Sequence, residues 1–239
     1  MHTMQGFKLT LVTGLALLTA IWMGAGASAS AQRGGSAVNA PQRLAAVLSI
    51  HEAFAKPARG SKHLGRVRPR RPLTGERTVL PVVGVKAGWL HVELPGRPNG
   101  HLGWINSQET KLRATYWRLV VHTTARRVIV YRRGRAIRGF KAIVGKPSTP
   151  TPHGSFFVEE SIQLRPGDVG APFALALSAR SDVFQHFDGG PGQIALHGLD
   201  NVGGVLGTAA SHGCVRLADS AMRWLVDRVG PGVPVTITG

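Results

Sequence analysis

The chain has 239 residues, with 29 Lys and Arg against 12 Asp and Glu, a formal charge of +17 and a single cysteine. One thiol excludes an intrachain disulfide framework, and the length suffices for one large or two small domains, each with its own core. The arginines form two clusters, Arg66, Arg68, Arg70 and Arg71, then Arg126, Arg127, Arg132, Arg133, Arg135 and Arg138. Aromatics are not interleaved with them as stacking platforms, so no nucleic-acid partner is expected.

Met1 to Ala31 reads as a secretory signal peptide. Lys8 supplies the basic start, Leu9 to about Met23 the apolar stretch, and Ala27-Ser28-Ala29-Ser30-Ala31 the small-residue cleavage zone. The competing reading is an uncleaved membrane anchor, but the apolar run is short and interrupted by Thr and Gly. Export to the periplasm, the cell wall or the medium follows, and for an exported basic protein the nearest polyanions are wall polymers and lipid headgroups. Residues 32–43, rich in Gly, Ser, Ala and Pro, read as a linker.

Residues 44–112 carry the marks of a small β-barrel. Thr78–Val85, Trp89–Leu94 and Gly103–Ile105 are β-prone and separated by turn signals, among them Pro95, Gly96 and the tight-turn pair Asn99-Gly100. The run from Gly88-Trp89 through Gly100, then Gly103-Trp104-Ile105, resembles the bacterial Src-homology-three-type barrels of secreted wall enzymes. His51, His63 and His91 have no partners at metal-ligand spacing and read as surface residues.

Residues 116–239 change texture to longer alternating strands: Trp117–His122, Val128–Tyr131, Phe140–Val144, Ser155–Glu159, Phe173–Ser178 and Val233–Thr238, with a turn at Arg133-Gly134. Strands joined by such short connections imply a sandwich or barrel. The proline-rich run Gly145 to Gly154 is a stiff loop. One helix is predicted, with Asp219 as N-cap, an apolar face of Ala221, Met222, Leu225, Val226 and Val229, and a stop at Gly230-Pro231.

The chemistry concentrates in Ser211-His212-Gly213-Cys214-Val215-Arg216-Leu217. Most unpaired cysteines are packing residues. Here the thiol follows a glycine rather than sitting in an apolar repeat, and His212 stands two residues away as a proton acceptor. An idle thiol in an exported protein is also an oxidation liability. Upstream, Ile194-Ala195-Leu196 reads as a strand that delivers His197-Gly198 to a loop mouth.

Three segments in order, Val144 to Phe156, Ile194 to Gly198 and Ser211 to Leu217, resemble the YkuD-type L,D-transpeptidase catalytic domain of bacterial cell-wall enzymes. The resemblance implies a mainly β fold, a β-sandwich with one short helix. It implies Cys214 as nucleophile, His212 as general base, Gly213 and Cys214 N–H groups as oxyanion donors, and Ser211 as orienter of the imidazole. His197 and Gly198 would line the substrate site, and Arg216 would act structurally or on a substrate carboxylate. His153, where a small polar residue is usual, reads as a loop-surface residue.

The implied reaction takes a tetrapeptide stem of peptidoglycan as donor and a diamino-acid side-chain amine on a second stem as acceptor. Carbapenem-type β-lactams are implied inhibitors, and no metal or cofactor is expected. Two rivals remain: water as acceptor, giving an L,D-carboxypeptidase, and a non-catalytic wall-binding protein.

Overall fold

The computed structural model describes residues 40–186 and 190–239. The predicted signal peptide lies outside the described residues, as does the predicted linker up to residue 39. Seven strands come first: β1 (Gln42–Val47), β2 (His51–Phe54), β3 (His63–Val67), β4 (Val79–Lys86), β5 (Trp89–Glu93), β6 (Leu102–Asn106) and β7 (Thr110–Thr115). They form one antiparallel sheet in the order β3-β2-β6-β5-β4-β1-β7. β1 begins at Gln42, inside the predicted linker. Its Ala45 and Val47 face one apolar cluster while Leu44 and Ala46 face another, so burial on both sides erases the alternation that marks a half-exposed strand.

Ten strands and a helix follow: β8 (Trp117–His122), β9 (Arg127–Arg132), β10 (Arg135–Lys141), β11 (Val144–Gly145), β12 (Gly154–Gln163), β13 (Phe173–Arg180), β14 (Gln193–His197), β15 (Ala209–Ser211), β16 (Val215–Arg216), α1 (Asp219–Val226) and β17 (Pro234–Thr238). Eight strands form a sheet in the order β10-β9-β8-β17-β12-β13-β14-β16, and β11 pairs with β15 separately. The fold is mainly β, with α1 packed against β13 and β14.

The large core gathers Leu119, Val121, Phe156, Leu175, Leu177, Leu196 and the buried face of α1, Ala221, Met222 and Leu225. α1 ends before Val229, which is nonetheless buried in the same core. β12 joins the two sheets. Adjacent strand residues point to opposite faces, so Phe156 enters the large core while Phe157 enters the apolar core of the N-terminal sheet.

A buried charge cluster reinforces that junction. Glu159 and Glu160 on β12 are each 1% exposed. Arg180 Nη2 donates to Glu159 Oε1 at 3.0 Å, and Arg71 Nη2 pairs with Glu159 Oε2. Glu160 Oε2 accepts from both the N–H and the hydroxyl of Thr74. Thus Arg71, from the first arginine cluster, is consumed internally rather than offered to an anionic surface.

Two local expectations are corrected. The N-cap position of α1 is Ala218, without a side-chain cap; Asp219 is the first helical residue, and its Oδ1 accepts the N–H of Leu199 at 2.9 Å. Its carboxylate therefore ties down the loop after His197 instead of closing its own helix. His51 is buried rather than superficial, with Nε2 3.3 Å from the carbonyl of Glu109.

Candidate active site

Strand pairing brings the sequence-predicted residues together. β14 runs parallel to β16 with His197 opposite Arg216, and the N–H of Leu217 donates to the His197 carbonyl at 2.9 Å. β15 ends at Ser211, β16 begins at Val215, and the three-residue turn between them carries His212, Gly213 and Cys214.

The proline-rich loop grips this turn from the other side. Lys146 N–H and Thr149 Oγ1 both donate to the Ser211 carbonyl, at 3.0 and 3.2 Å. Thr151 Oγ1 donates to the Gly213 carbonyl at 2.8 Å and itself accepts the N–H of Gly145 at 2.9 Å. Both threonines are buried. Their hydroxyls satisfy backbone groups that would otherwise be stranded away from water. The sequence signal for this clamp is a pair of hydroxyl residues at i and i+2, Thr149 and Thr151, within a rigid proline-rich loop.

Two glycines are fixed by geometry. Gly213 has φ +121°, a conformation that L side chains rarely adopt. A Cβ on Gly198 would lie 1.9 Å from the Ala171 carbonyl oxygen and 2.8 Å from Asp219 Oδ1. Gly198 therefore serves close backbone packing against Ala171 and Asp219.

Cys214, His212, His197, Arg216 and Ser211 line one cleft of about 280 Å³, with apolar walls from Ile194, Val202 and Phe184. Burial pushes the Cys214 thiol above its ordinary value; a backbone hydrogen bond from Ala195 and the charge of Arg216 act in the opposite direction without offsetting it. Its Sγ lies 4.0 Å from the Gln193 carbonyl, at the long limit for a weak thiol donor. Burial thus favours the protonated thiol of Cys214 over the thiolate.

His212 is exposed at the mouth, with its Nε2 3.4 Å from Lys146 Nζ and its ring 6.1 Å from that of Phe184. His197 is held below its usual value mainly by burial, and Arg216 adds to the effect. Its Nδ1 sits 2.9 Å from the Gly198 carbonyl, which can only accept, so the neutral ring carries its proton on Nδ1 and keeps the Nε2 lone pair.

The Ser211 side chain engages the backbone of the turn. Its hydroxyl, fully buried, donates to the Cys214 carbonyl at 2.5 Å and accepts the Gly213 N–H at 3.2 Å. Ser211 thus orders the backbone of the turn that carries His212. The same bond engages the Gly213 N–H in this structure. Arg216 Nη1 reaches the carbonyls of Val202 and Gly203 at 3.3 and 3.4 Å and so ties down the loop beside the cleft. His153 bonds Thr123 Oγ1 at 2.8 Å and is absent from the cleft walls.

A family model of the L,D-transpeptidase catalytic domain, YkuD, matches residues 116–237. L,D-transpeptidase 1 of Mycobacterium tuberculosis is 25% identical over 232 aligned residues, covering 72% of this chain and 88% of the relative. The YkuD protein of Bacillus licheniformis is 30% identical over 122 residues, covering 51% of this chain and 66% of the relative. Among solved structures, that of LdtMt1 in complex with imipenem aligns at 19% identity and a TM-score of 0.44, over 67% of this chain and 91% of that one. The matched segment runs from β8 into β17 and contains every residue lining the cleft, so the chain belongs to the YkuD family of L,D-transpeptidase catalytic domains.

Proposed function

We propose that this L,D-transpeptidase cross-links peptidoglycan stem peptides through a thioester on Cys214. The observation that carries the reading is the chain's one cysteine, placed in a cleft it shares with two histidines and an arginine inside the matched segment.

Attack begins when Cys214 Sγ adds to the carbonyl carbon of the third residue of a donor tetrapeptide, and His212 takes the thiol proton. The carbon–nitrogen bond breaks, His212 returns the proton to the departing D-alanine amine, and the acyl group stays on sulfur. The side-chain amine of a diamino acid on a second stem then attacks the thioester. It loses a proton to His212, the carbon–sulfur bond breaks, and the thiol regains that proton. With Gly213 N–H bonded to Ser211, the N–H of Cys214 is the oxyanion donor this reading assigns, worth about 3 kcal/mol of barrier. His197, with Nε2 as an acceptor, would receive a donor N–H, and Arg216 would meet a substrate carboxylate.

Carbapenem-type β-lactams would acylate the same sulfur, because their strained amide presents the same electrophile; a relative's structure contains imipenem. The N-terminal sheet would serve as a Src-homology-three-like module facing the wall, and the signal segment would export the chain to it. The surface arginines favour retention on anionic wall polymers.

Incubation of the protein with tetrapeptide muropeptides, beside Cys214→Ala, tests the proposal by mass spectrometry of products. A Cys214-dependent dimer linked through third-position residues is expected. Tripeptide alone would make the enzyme a carboxypeptidase, and the same products from Cys214→Ala would remove the cysteine from the mechanism.

A further inference from the structure

The connection between β5 and β6 leaves the N-terminal sheet and lands on the chain that walls the cleft. Arg97 Nη2 donates to the carbonyls of Ser181 and Phe184 at 2.8 and 3.0 Å, and its Nε donates to Gln185 Oε1 at 2.9 Å. Asn99 Nδ2 donates to the Arg180 carbonyl at 2.8 Å and to Asp182 Oδ1 at 3.2 Å, while its Oδ1 accepts the Arg180 N–H at 2.8 Å.

The gripping loop is braced. The Leu94 N–H donates to the His101 carbonyl at 3.0 Å, and His101 Nδ1 donates to the Pro98 carbonyl at 2.6 Å. The gripped segment begins where β13 ends and holds itself locally, since Ser181 Oγ accepts the N–H groups of Val183 and Phe184. Ser181 and Phe184 line the cleft, and the Phe184 ring faces that of His212. Arg97 and Asn99 lie outside the matched catalytic segment.

A guanidinium presents its donors in a fixed plane, so one Arg97 can hold two carbonyls and an amide at once; a lysine cannot. We propose that Arg97 and Asn99 are positioning residues of the active site, and that the N-terminal sheet sets one wall of the cleft by holding the segment from Arg180 to Gln185. The sheet is then part of the enzyme's donor-binding apparatus and not only a spacer. The acylation arm of the test rests on the Cys214 thioester reading; the exchange arm does not.

The test uses the full chain with Arg97→Ala and Arg97→Lys. Three quantities are read: amide hydrogen exchange at residues 181–185, saturation kinetics of Cys214 acylation by a carbapenem, and the rate of Cys214 alkylation by iodoacetamide. In Arg97→Ala, exchange at Val183 and Phe184 should quicken about 10-fold, as loss of three partly solvent-screened charge-assisted bonds implies. The half-saturating carbapenem concentration should rise about 10-fold by the same loss, with iodoacetamide, too small to use the wall, unaffected within about 2-fold. Arg97→Lys should fall between, because one ammonium replaces only part of the fork. Wild-type exchange and wild-type half-saturation in Arg97→Ala would overturn the proposal. If Arg97→Ala loses its cooperative melt, Asn99→Ala is judged by the same two criteria. A wild-type protein inert to the carbapenem would refute the Cys214 reading instead, and exchange alone would then decide the positioning claim.

Discussion

Replacing Ser211 by alanine separates two accounts of the turn that carries Cys214. In the structure the hydroxyl makes no bond to the imidazole; it donates to the Cys214 carbonyl at 2.5 Å and accepts the Gly213 N–H at 3.2 Å, with the side chain fully buried. Alanine leaves one buried acceptor and one buried donor short of a partner, at about 1–3 kcal/mol for each group. The Thr149 and Thr151 clamps on neighbouring carbonyls hold the turn in place and limit relaxation. Unfolding free energy in urea should therefore fall by about 2–4 kcal/mol. Acylation should slow because the Cys214 backbone loosens, while the midpoint of its pH–rate profile stays where it is, since no bond to His212 has been cut. A variant stable to within about 0.5 kcal/mol of wild type, the range of neutral surface changes, with a displaced midpoint would refute this and return Ser211 to the imidazole.

Other outcomes follow from the same geometry. Glu159→Gln leaves the Arg71 and Arg180 guanidiniums buried without their shared carboxylate; Arg180 is already pushed down to about 10 by burial and by the charge of Arg97. It should cost about 3–5 kcal/mol in denaturant melts, and a loss under about 1 kcal/mol would contradict the buried pairing. Glu93 is raised to about 7 from an ordinary 4.5 by burial, against the pull of Arg118. Its contribution to stability is full below the unfolded value and lost as pH rises through about 7, so Glu93→Gln should match wild type near pH 4.5 and exceed it by up to about 3 kcal/mol at pH 8. Equal melts at pH 8 would contradict that. Cys214, whose thiol burial pushes up, should react with iodoacetamide more slowly than a free cysteine at neutral pH. Its rate should climb through a midpoint above about 8.5; a midpoint below that would mean a stored thiolate.

Where a strand is half exposed, its residues announce it. Trp89–Glu93 alternates buried and partly exposed positions and was read to within a residue, as was Trp117–His122. β7 could not be read this way, because Thr110–Thr115 has no buried face, and β1 could not because both its faces are covered. The two- and three-residue strands β11, β15 and β16 exist only through their pairing across the site, which leaves no local period to find. β10 starts at Arg135, five residues before the predicted Phe140, because its arginines lie on an exposed edge.

In the site, Cys214, His212, His197 and Arg216 were legible from a short motif and converge on one cleft. The supporting hydrogen bonds were not legible. Ser211, Thr149 and Thr151 act on backbone atoms, and Arg97 reaches Ser181 across 84 positions of sequence. Asp219 was misassigned for the same reason: a carboxylate before a helix reads as a cap, while its actual partner lies twenty residues upstream.

The most direct test of the account is peptide mapping of the acyl-enzyme trapped with a tetrapeptide donor by rapid acid quench. An acyl tripeptide mass on the peptide that contains Cys214, lost in Cys214→Ser, is the predicted result. The same adduct on any other residue, or product formation without an adduct in a variant lacking the thiol, would contradict it.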